Sequence, residues 1–290
     1  MSRSRADLHT HSTFSDGVFT PTQIVDLAYR NGVRILALTD HDTTDGLPEA
    51  FQAAARYPDL ILIPGVEMST DVPGNEVHIV GHFIDWEDGA FQDELTRLRE
   101  TRLNRARKMV EKLKELGKPV AWERVQEMAG EGTVGRPHIA QALVEASHVA
   151  SVGEAFQLYL SRKGPAYVER ERLRPPQVVE LLHTVGGLCT LGHPRDLEHL
   201  PELLADLKEV GLIGMEVYYQ DYEPQVMERL RAVAESFGLL PLGGSDYHGL
   251  GASQERGPGD IPLPMEPVER LLALARERGV LQRALAACRL

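Results

Sequence analysis

The chain has 290 residues, of which 42% are hydrophobic and 26% charged, a balance that is typical of a folded globular protein and argues against a strongly disordered one. Its 43 acidic residues outnumber its 31 basic residues. The resulting net charge of −12 argues against a protein that coats duplex DNA or other nucleic acid through charge alone. Because Cys189 and Cys288 are the only cysteines, neither a disulfide scaffold nor a thiolate zinc site is expected.

The length allows one large domain or two smaller ones. The first residues contain no apolar segment of the kind found in signal peptides, and no apolar run approaches the roughly 20 residues needed to cross a bilayer. We therefore expect a cytoplasmic protein without a membrane partner.

Seven short apolar runs predict seven β-strands, at residues 6–11, 33–39, 60–67, 77–83, 187–193, 212–218 and 239–246. Each run is nearly continuously apolar, as in parallel strands that are covered on both faces. Helical patterns separate most of them, for example at residues 20–32, 200–211 and 223–238. Only residues 68–76 join the third and fourth strands, too few for a helical crossover, so this pair is predicted to be irregular or antiparallel. The pattern indicates an α/β fold, either a (β/α) barrel or an open sheet.

The middle of the chain, from about residue 93, shows helical patterns and no strand. We predict an all-helical insertion domain at residues 93–165 between two parts of a barrel, residues 1–92 and 166–290. Residues 95–118 of this insertion contain nine Lys and Arg residues against three Glu residues. Most of these basic side chains are interpreted as a solvated helix face. Their local excess of positive charge would also attract an anionic substrate.

Histidines and carboxylates fall at the ends of almost all the predicted strands. His9 and His11 end the first strand and point to one face, because alternate residues of a strand share a face. Further histidines and carboxylates occur in or just after most of the other strands, at positions 41, 67, 78, 193, 246 and 248. Because the C-terminal strand ends of a barrel meet at one mouth, these side chains are expected to converge there. Buried polar groups need partners, and a cluster of divalent cations is the simplest shared partner.

The motifs at these positions resemble those of the polymerase and histidinol phosphatase (PHP) superfamily. They are DLHTH from Asp7, TDHD from Thr39, GVE from Gly65, HIVG from His78, GHP from Gly192 and GSDYH from Gly244. Within the insertion, GRPH from Gly135 and KGPAYV from Lys163 resemble the bacterial branch that removes the 3′-phosphate of nucleoside 3′,5′-bisphosphates. The resemblance implies a distorted (β/α)7 barrel with three divalent metal ions, Mn²⁺, Fe²⁺ or Zn²⁺.

The resemblance also implies roles for individual residues. A first metal would be bound by His9, His11, Glu67 and Asp246, a second by Glu67 as a bridge with His78 and His193, and a third by Asp16, His41 and His248. Glu67, Asp246 and His193 are the expected catalytic residues. Arg136, Lys163, Arg195 and His138 are the expected substrate contacts, since arginine and lysine suit phosphate recognition. His82 is interpreted as structural or as supporting a ligand, and Glu216 is left between a salt-bridge role and a site role.

The expected activity is hydrolysis of the 3′-phosphate of a nucleoside 3′,5′-bisphosphate by a metal-bound hydroxide, giving the 5′-nucleotide and phosphate. The expected partner is a small phosphorylated nucleotide. Trimming of short RNA oligomers from the 5′ end is an alternative, and histidinol-phosphate hydrolysis is another. An amidohydrolase barrel also begins with H-x-H, but it needs a lysine at the end of the fourth strand, where this sequence has His78 and His82. A metal-binding module without catalysis is the remaining class.

Overall fold

The computed structural model describes residues 3–72, 75–130, 134–169, 173–220, 222–251 and 255–282. Seven strands form one sheet in which each strand neighbours the next in chain order. The strands are β1 Ala6–Asp7, β2 Ile35–Leu38, β3 Ile61–Val72, β4 Asn75–His82, β5 Leu188–Gly192, β6 Gly214–Tyr219 and β7 Leu240–Gly244. All seven predicted strands are therefore present, and the predicted distorted (β/α)7 barrel is confirmed.

The sheet is parallel except at β4, which runs antiparallel to both of its neighbours. β3 changes partner along its length: Ile61–Pro64 pairs with β2, and Gly65–Val72 pairs with β4. The expectation of an antiparallel third and fourth strand is thus confirmed. The two edges of the sheet meet through backbone hydrogen bonds from His11 N to Tyr247 O (3.1 Å) and from Asp246 N to His9 O (2.8 Å), which nearly close the barrel.

The first strand is shorter than predicted, since regular pairing stops at Asp7 and not at His11. Two threonines explain the difference. The Thr10 hydroxyl donates to Ala37 O (2.7 Å), and the Thr39 hydroxyl accepts from Thr10 N (3.2 Å) and donates to Thr10 O (3.1 Å). These side-chain bonds interrupt the regular ladder, although Thr39 N still donates to Thr10 O (2.9 Å) and Thr10 forms a bridge with Tyr247 at the other edge of the sheet.

Helices cover the outside of the barrel. They are α1 Pro21–Arg30, α2 Leu47–Ala54, α7 Pro175–Thr184, α8 Leu200–Glu209, α9 Pro224–Ser236 and α10 Met265–Glu277. At the start of α1, Thr20 and Gln23 form a capping box, with a proline at the first turn. Along β2, Leu36 and Leu38 belong to the core formed with α1 and α2, whereas Ile35 and Ala37 belong to the core formed with α10. Burial on both faces accounts for the continuous apolar runs.

Between β4 and β5 the described residues form helices and loops without a strand, in agreement with the predicted helical insertion. The helices that precede α7 in this stretch are α3 Gly89–Glu115, α4 Trp122–Ala129, α5 Arg136–Glu145 and α6 Val152–Ala155, which continues into a π-helical turn at Phe156–Leu160. The start of α3 packs against the barrel through Phe91, Leu95 and Leu98. Its second half joins α4 and α5 in a separate core. The domain boundaries at 92/93 and 165/166 remain a prediction.

No helix in the described ranges combines the length and apolar character that a membrane span requires.

Candidate metal centre

The nine side chains predicted as metal ligands lie together at the mouth of the barrel. Eight of them form three overlapping groups, in each of which the ligand atoms lie within 4.8 Å of one another. The groups are His9, His11, Glu67 and Asp246; His11, Asp16, His41 and His248; and His41, Glu67 and His78. His193, the ninth residue, places Nε2 3.1 Å from Glu67 Oε1. The structure therefore brings together every residue of the predicted ligand set.

Glu67 lies at the centre of the cluster and is fully buried. Its Oε1 is 2.6 Å from His78 Nδ1 and 3.1 Å from His193 Nε2. Its Oε2 is 3.2 Å from the Nε2 atoms of both His9 and His11, and 3.0 Å from His41 Nδ1. The two carboxylate oxygens thus face different histidines, which is the arrangement that a bridging ligand requires.

His11 and His41 each take part in two of the groups, so the groups overlap more than three separate metal sites would. His11 Nε2 lies 2.8 Å from Asp246 Oδ1 and also belongs to the group around Asp16. In that group Asp16 Oδ1 lies 3.2 Å from His248 Nε2, and Asp16 Oδ2 lies 3.8 Å from His41 Nε2.

Several of the converging atoms are buried and make no hydrogen bond. They are His9 Nε2, His11 Nε2, Asp16 Oδ1, His41 Nδ1, Glu67 Oε2 and Asp246 Oδ1. A buried polar atom without a partner costs about 1–3 kcal/mol, so six in one place indicate a shared partner. Imidazole nitrogens and carboxylate oxygens are ligands for Mn²⁺, Fe²⁺ and Zn²⁺. The residues fit divalent metal ions.

Electrostatics in the cluster keep its carboxylates ionised. Burial raises the pKa of the Glu67 and Asp16 carboxyls, but the facing imidazoles outweigh this effect and hold both pKa values well below the usual range. Burial likewise lowers the pKa of His248, yet the neighbouring Asp16 and Asp246 raise it to about 10. His41, for which burial dominates, has its pKa lowered to about 3. The Glu67 and Asp16 carboxylates are therefore available as anionic ligands.

The loop that follows β1 is held in place by Asp40. Its carboxylate accepts hydrogen bonds from Ser12 N (2.7 Å), Ser12 Oγ (2.7 Å) and Ser15 Oγ (2.6 Å). The loop that they brace places Asp16 beside His248.

Two residues of β6 support the cluster: Glu216, which the sequence left between a salt-bridge role and a site role, and Tyr219, which the sequence did not single out. Glu216 contacts His9 Nδ1 at 2.8 Å, and Tyr219 donates its hydroxyl hydrogen to Asp246 Oδ2 at 2.5 Å. Each contact joins residues far apart in the chain, and no local motif signals either of them.

His82 lies away from the mouth, because β4 runs antiparallel to the other strands. The first residues of β4 therefore lie at the mouth, where His78 reaches Glu67, and His82 lies deeper in the barrel. There His82 is buried and its Nε2 is 2.9 Å from Leu8 O. The interpretation of His82 as a structural residue outside the ligand set agrees with this position.

A cavity of about 270 Å³ opens beside the cluster. Asp16, His41, His78 and His193 line one side of it, and Arg102, Arg105 and Arg136 from the insertion also line it. Arg102 Nη1 is 3.1 Å from Asp42 Oδ2, and Arg105 Nε donates to Val168 O at 2.8 Å. Of the four predicted substrate contacts, Arg136 lines this cavity. Arg102 and Arg105 belong to the basic helix and were not singled out individually.

The other three predicted substrate contacts lie elsewhere. His138 is buried at the start of α5, accepts a hydrogen bond from Gly135 N (3.1 Å) and lines a second cavity of about 380 Å³, which Asp16 also lines. Lys163 is exposed and does not line either cavity. The Arg195 guanidinium lies 5.4 Å from the ring centre of Tyr222, and its Nε donates to Asp196 Oδ2 at 3.1 Å. The structure therefore does not bring Lys163 or Arg195 to the cavity beside the cluster.

The chain is similar to a known protein family, to named relatives and to solved structures. A family model described as the PHP domain matches residues 7–148. The 5′-3′ exoribonuclease of Haemophilus influenzae is 37% identical over 246 residues, which are 83% of this chain and 89% of that protein. The 3′,5′-nucleoside bisphosphate phosphatase of Chromobacterium violaceum is 33% identical over 273 residues, 92% of this chain and 95% of that protein. A solved structure from Bifidobacterium adolescentis, described as a metal-dependent phosphoesterase, superposes with a TM-score of 0.83 at 31% identity and covers 93% of this chain and 96% of its own.

Proposed function

The chain belongs to the PHP domain family and is a metal-dependent phosphoesterase, and from this premise we propose that it hydrolyses the 3′-phosphate of nucleoside 3′,5′-bisphosphates. The products would be the 5′-nucleotide and phosphate. The observation that supports this substrate is the cavity beside the cluster, in which two different sets of residues could hold a phosphate group. Metal ligands line one part, and three arginines from the insertion line another.

A nucleoside bisphosphate would place one phosphate at each of these two sets of residues. One phosphate would lie at the metal ligands, where hydrolysis takes place, and the second would bind the guanidinium groups of Arg102, Arg105 and Arg136. The cavity volume, about 270 Å³, is close to the lower end of the range of roughly 300–1,000 Å³ for small-ligand pockets. It therefore favours a single nucleotide over a duplex.

We also propose that three divalent ions occupy the cluster, and that they are Mn²⁺, Fe²⁺ or Zn²⁺. His9, His11, Glu67 and Asp246 would bind the first, Glu67, His78 and His193 the second, and Asp16, His41 and His248 the third. Metal ions in such sites lower the pKa of bound water and neutralise charge on phosphate oxygens. Glu67 would hold two ions together because its two oxygens face different histidines. Asp246 and His193 would complete the wall against which the reacting phosphate lies.

The substrate is tested by phosphate release from manganese-loaded protein. Adenosine 3′,5′-bisphosphate is expected to react far faster than AMP or histidinol phosphate, because both of these lack the pairing of a 3′-phosphate with a 5′-phosphate. The Arg136→Met variant is expected to raise KM for the bisphosphate while leaving the slow reaction of a phosphate monoester without a second phosphate unchanged. Equal rates for all three substrates would contradict the assignment.

A second candidate is the removal of nucleotides from the 5′ end of short RNA, and the second cavity favours it. That cavity, about 380 Å³, lies between the loop at residues 13–18 and the insertion and shares Asp16 with the first. It offers room for further nucleotides beyond the one at the cluster. Incubation with a 5′-phosphorylated RNA tetramer separates the two activities: stepwise release of 5′-mononucleotides indicates the exoribonuclease, and an intact oligomer indicates a phosphatase alone.

A further inference from the structure

We propose that Glu216 is a positioning residue that sets the proton position on His9 and the backbone position of His193, and thereby controls the metal affinity of the centre. This proposal rests on the metal centre described above, but not on which phosphate ester is hydrolysed. Glu216 lies on β6, is 2% exposed, and belongs to none of the ligand groups found among the described residues.

The contact with His9 determines which imidazole nitrogen can bind a metal. Glu216 Oε1 lies 2.8 Å from His9 Nδ1. An ionised carboxylate only accepts hydrogen bonds, so His9 Nδ1 must carry the hydrogen. The lone pair available to a metal is then on Nε2, which is the atom that faces Glu67 Oε2 (3.2 Å) and Asp246 Oδ1 (3.4 Å). A histidine ligand commonly has its second nitrogen oriented in this way by a carboxylate.

The contact with His193 acts on the main chain. Glu216 Oε2 accepts a hydrogen bond from His193 N at 2.8 Å. The φ of His193 is +26°, a value that residues other than glycine rarely adopt, so this conformation needs support from its surroundings. The same residue places its Nε2 3.1 Å from Glu67 Oε1. One carboxylate therefore holds two predicted ligands that are far apart in the chain, one after β1 and one after β5.

The variant Glu216→Gln preserves size but cannot satisfy both donors. A glutamine amide has one oxygen, so its NH₂ group must face either His193 N–H or His9 Nδ1. In the first orientation the glutamine NH₂ group and the His193 backbone N–H, both hydrogen-bond donors, face each other. The second forces His9 Nδ1 to become an acceptor and moves its hydrogen to Nε2, the atom that should bind metal. Either way one ligand is displaced.

The variant is tested by titrating metal-stripped protein with Mn²⁺ in a calorimeter. Loss of a residue that orients a metal ligand typically weakens metal affinity about 10–100-fold, and we expect this range for Glu216→Gln. The matched control is Glu49→Gln on α2, which also accepts a backbone hydrogen bond, from Thr22 N at 3.1 Å, but lies outside the cluster. The control is expected to bind Mn²⁺ with wild-type affinity. A folded Glu216→Gln protein with wild-type affinity would overturn the proposal.

A second measurement needs no variant. Nitrogen-15 spectra of zinc-loaded wild-type protein report which ring nitrogen of each histidine carries hydrogen, and the expected state of His9 is Nδ1–H with Nε2 bound to metal. A His9 with hydrogen on Nε2 overturns the proposal, as does wild-type protein that binds no metal. Failure to hydrolyse bisphosphates leaves both readouts intact, so the substrate assignment and the role of Glu216 are tested separately.

Discussion

The ion pair between Arg102 and Asp42 ties the helical insertion to the metal-ligand loop, and its removal should be costly. Arg102 Nη1 lies 3.1 Å from Asp42 Oδ2, and the two side chains are 12% and 0% exposed. Asp42 follows the predicted ligand His41, has a φ of +52°, and its Oδ1 accepts from Ser69 N at 3.1 Å. The pair therefore braces the loop beside Glu67 from across the cavity.

The variant Arg102→Met keeps much of the side-chain volume and removes the charge. Breaking a buried pair by removing one partner costs about 3–5 kcal/mol, because the remaining charge stays buried. A chain of 290 residues has an unfolding entropy of about 0.6 kcal/mol per kelvin at its midpoint, so the expected fall in Tm is about 5–8 °C. Asp42→Asn in the same protein should restore most of this loss, since asparagine tolerates a positive φ and carries no charge.

Thermal unfolding of the wild type, both single variants and the double variant D42N/R102M gives the coupling energy directly. The kinetics of the same four proteins test the proposed role of Arg102 in binding a substrate phosphate. If this arginine also binds a substrate phosphate, the double variant should regain stability without regaining a wild-type KM for the bisphosphate. A loss below about 1 kcal/mol in Arg102→Met would refute the reasoning, because it would place the pair among exposed ion pairs.

Three further predictions concern the cluster. Glu67→Gln should remove activity and lower metal content by elemental analysis, and a fully active, metal-replete variant would contradict the bridging role. Chelation should lower Tm, and Mn²⁺ at about 100 times its Kd should restore about 2.7 kcal/mol per site, or about 4–5 °C; an unchanged Tm would argue against ions at buried ligands. Tyr219→Phe removes the hydrogen bond to Asp246 and should weaken Mn²⁺ affinity about tenfold in calorimetry with little change in Tm, whereas unchanged affinity would show that Asp246 needs no such support.

The strands could be predicted from the sequence because both faces of each strand are buried. The apolar runs alone do not give strand direction, because such a run reads the same in a parallel and an antiparallel strand; only the short connection at residues 68–76 indicated the reversal of β4. His78 and His82 show the consequence: their even spacing places both on one face of a strand, but the reversed β4 brings only His78 to Glu67 and carries His82 towards Leu8. The true limit of β1 was hidden for a related reason, since it depends on hydroxyl bonds between Thr10 and Thr39.

The convergence of the histidine and carboxylate side chains could be predicted because such groups at strand ends are costly to bury without a partner, whereas their individual ligand roles remain a prediction. The residues that support them had no such signal. Glu216 is separated from His9 by 207 positions, and Arg102 from Asp42 by 60, so each pairing follows from the fold and not from any local pattern.

The basic residues of α3 show what a count of charged residues in a sequence can and cannot predict. Nine Lys and Arg residues at 95–118 indicate a positive segment in a chain of net charge −12, but the count does not identify which of them meet the substrate. In the structure Arg102, Arg105, Ala106 and Met109 of α3 line the cavity, and this spacing of three and four residues is one face of a helix. A net negative charge of the whole chain is therefore compatible with a positively charged wall in one cavity. The net negative charge disfavours non-specific nucleic-acid binding, while the arginines of the cavity wall would attract a phosphate ester to the cluster around Glu67, as we propose.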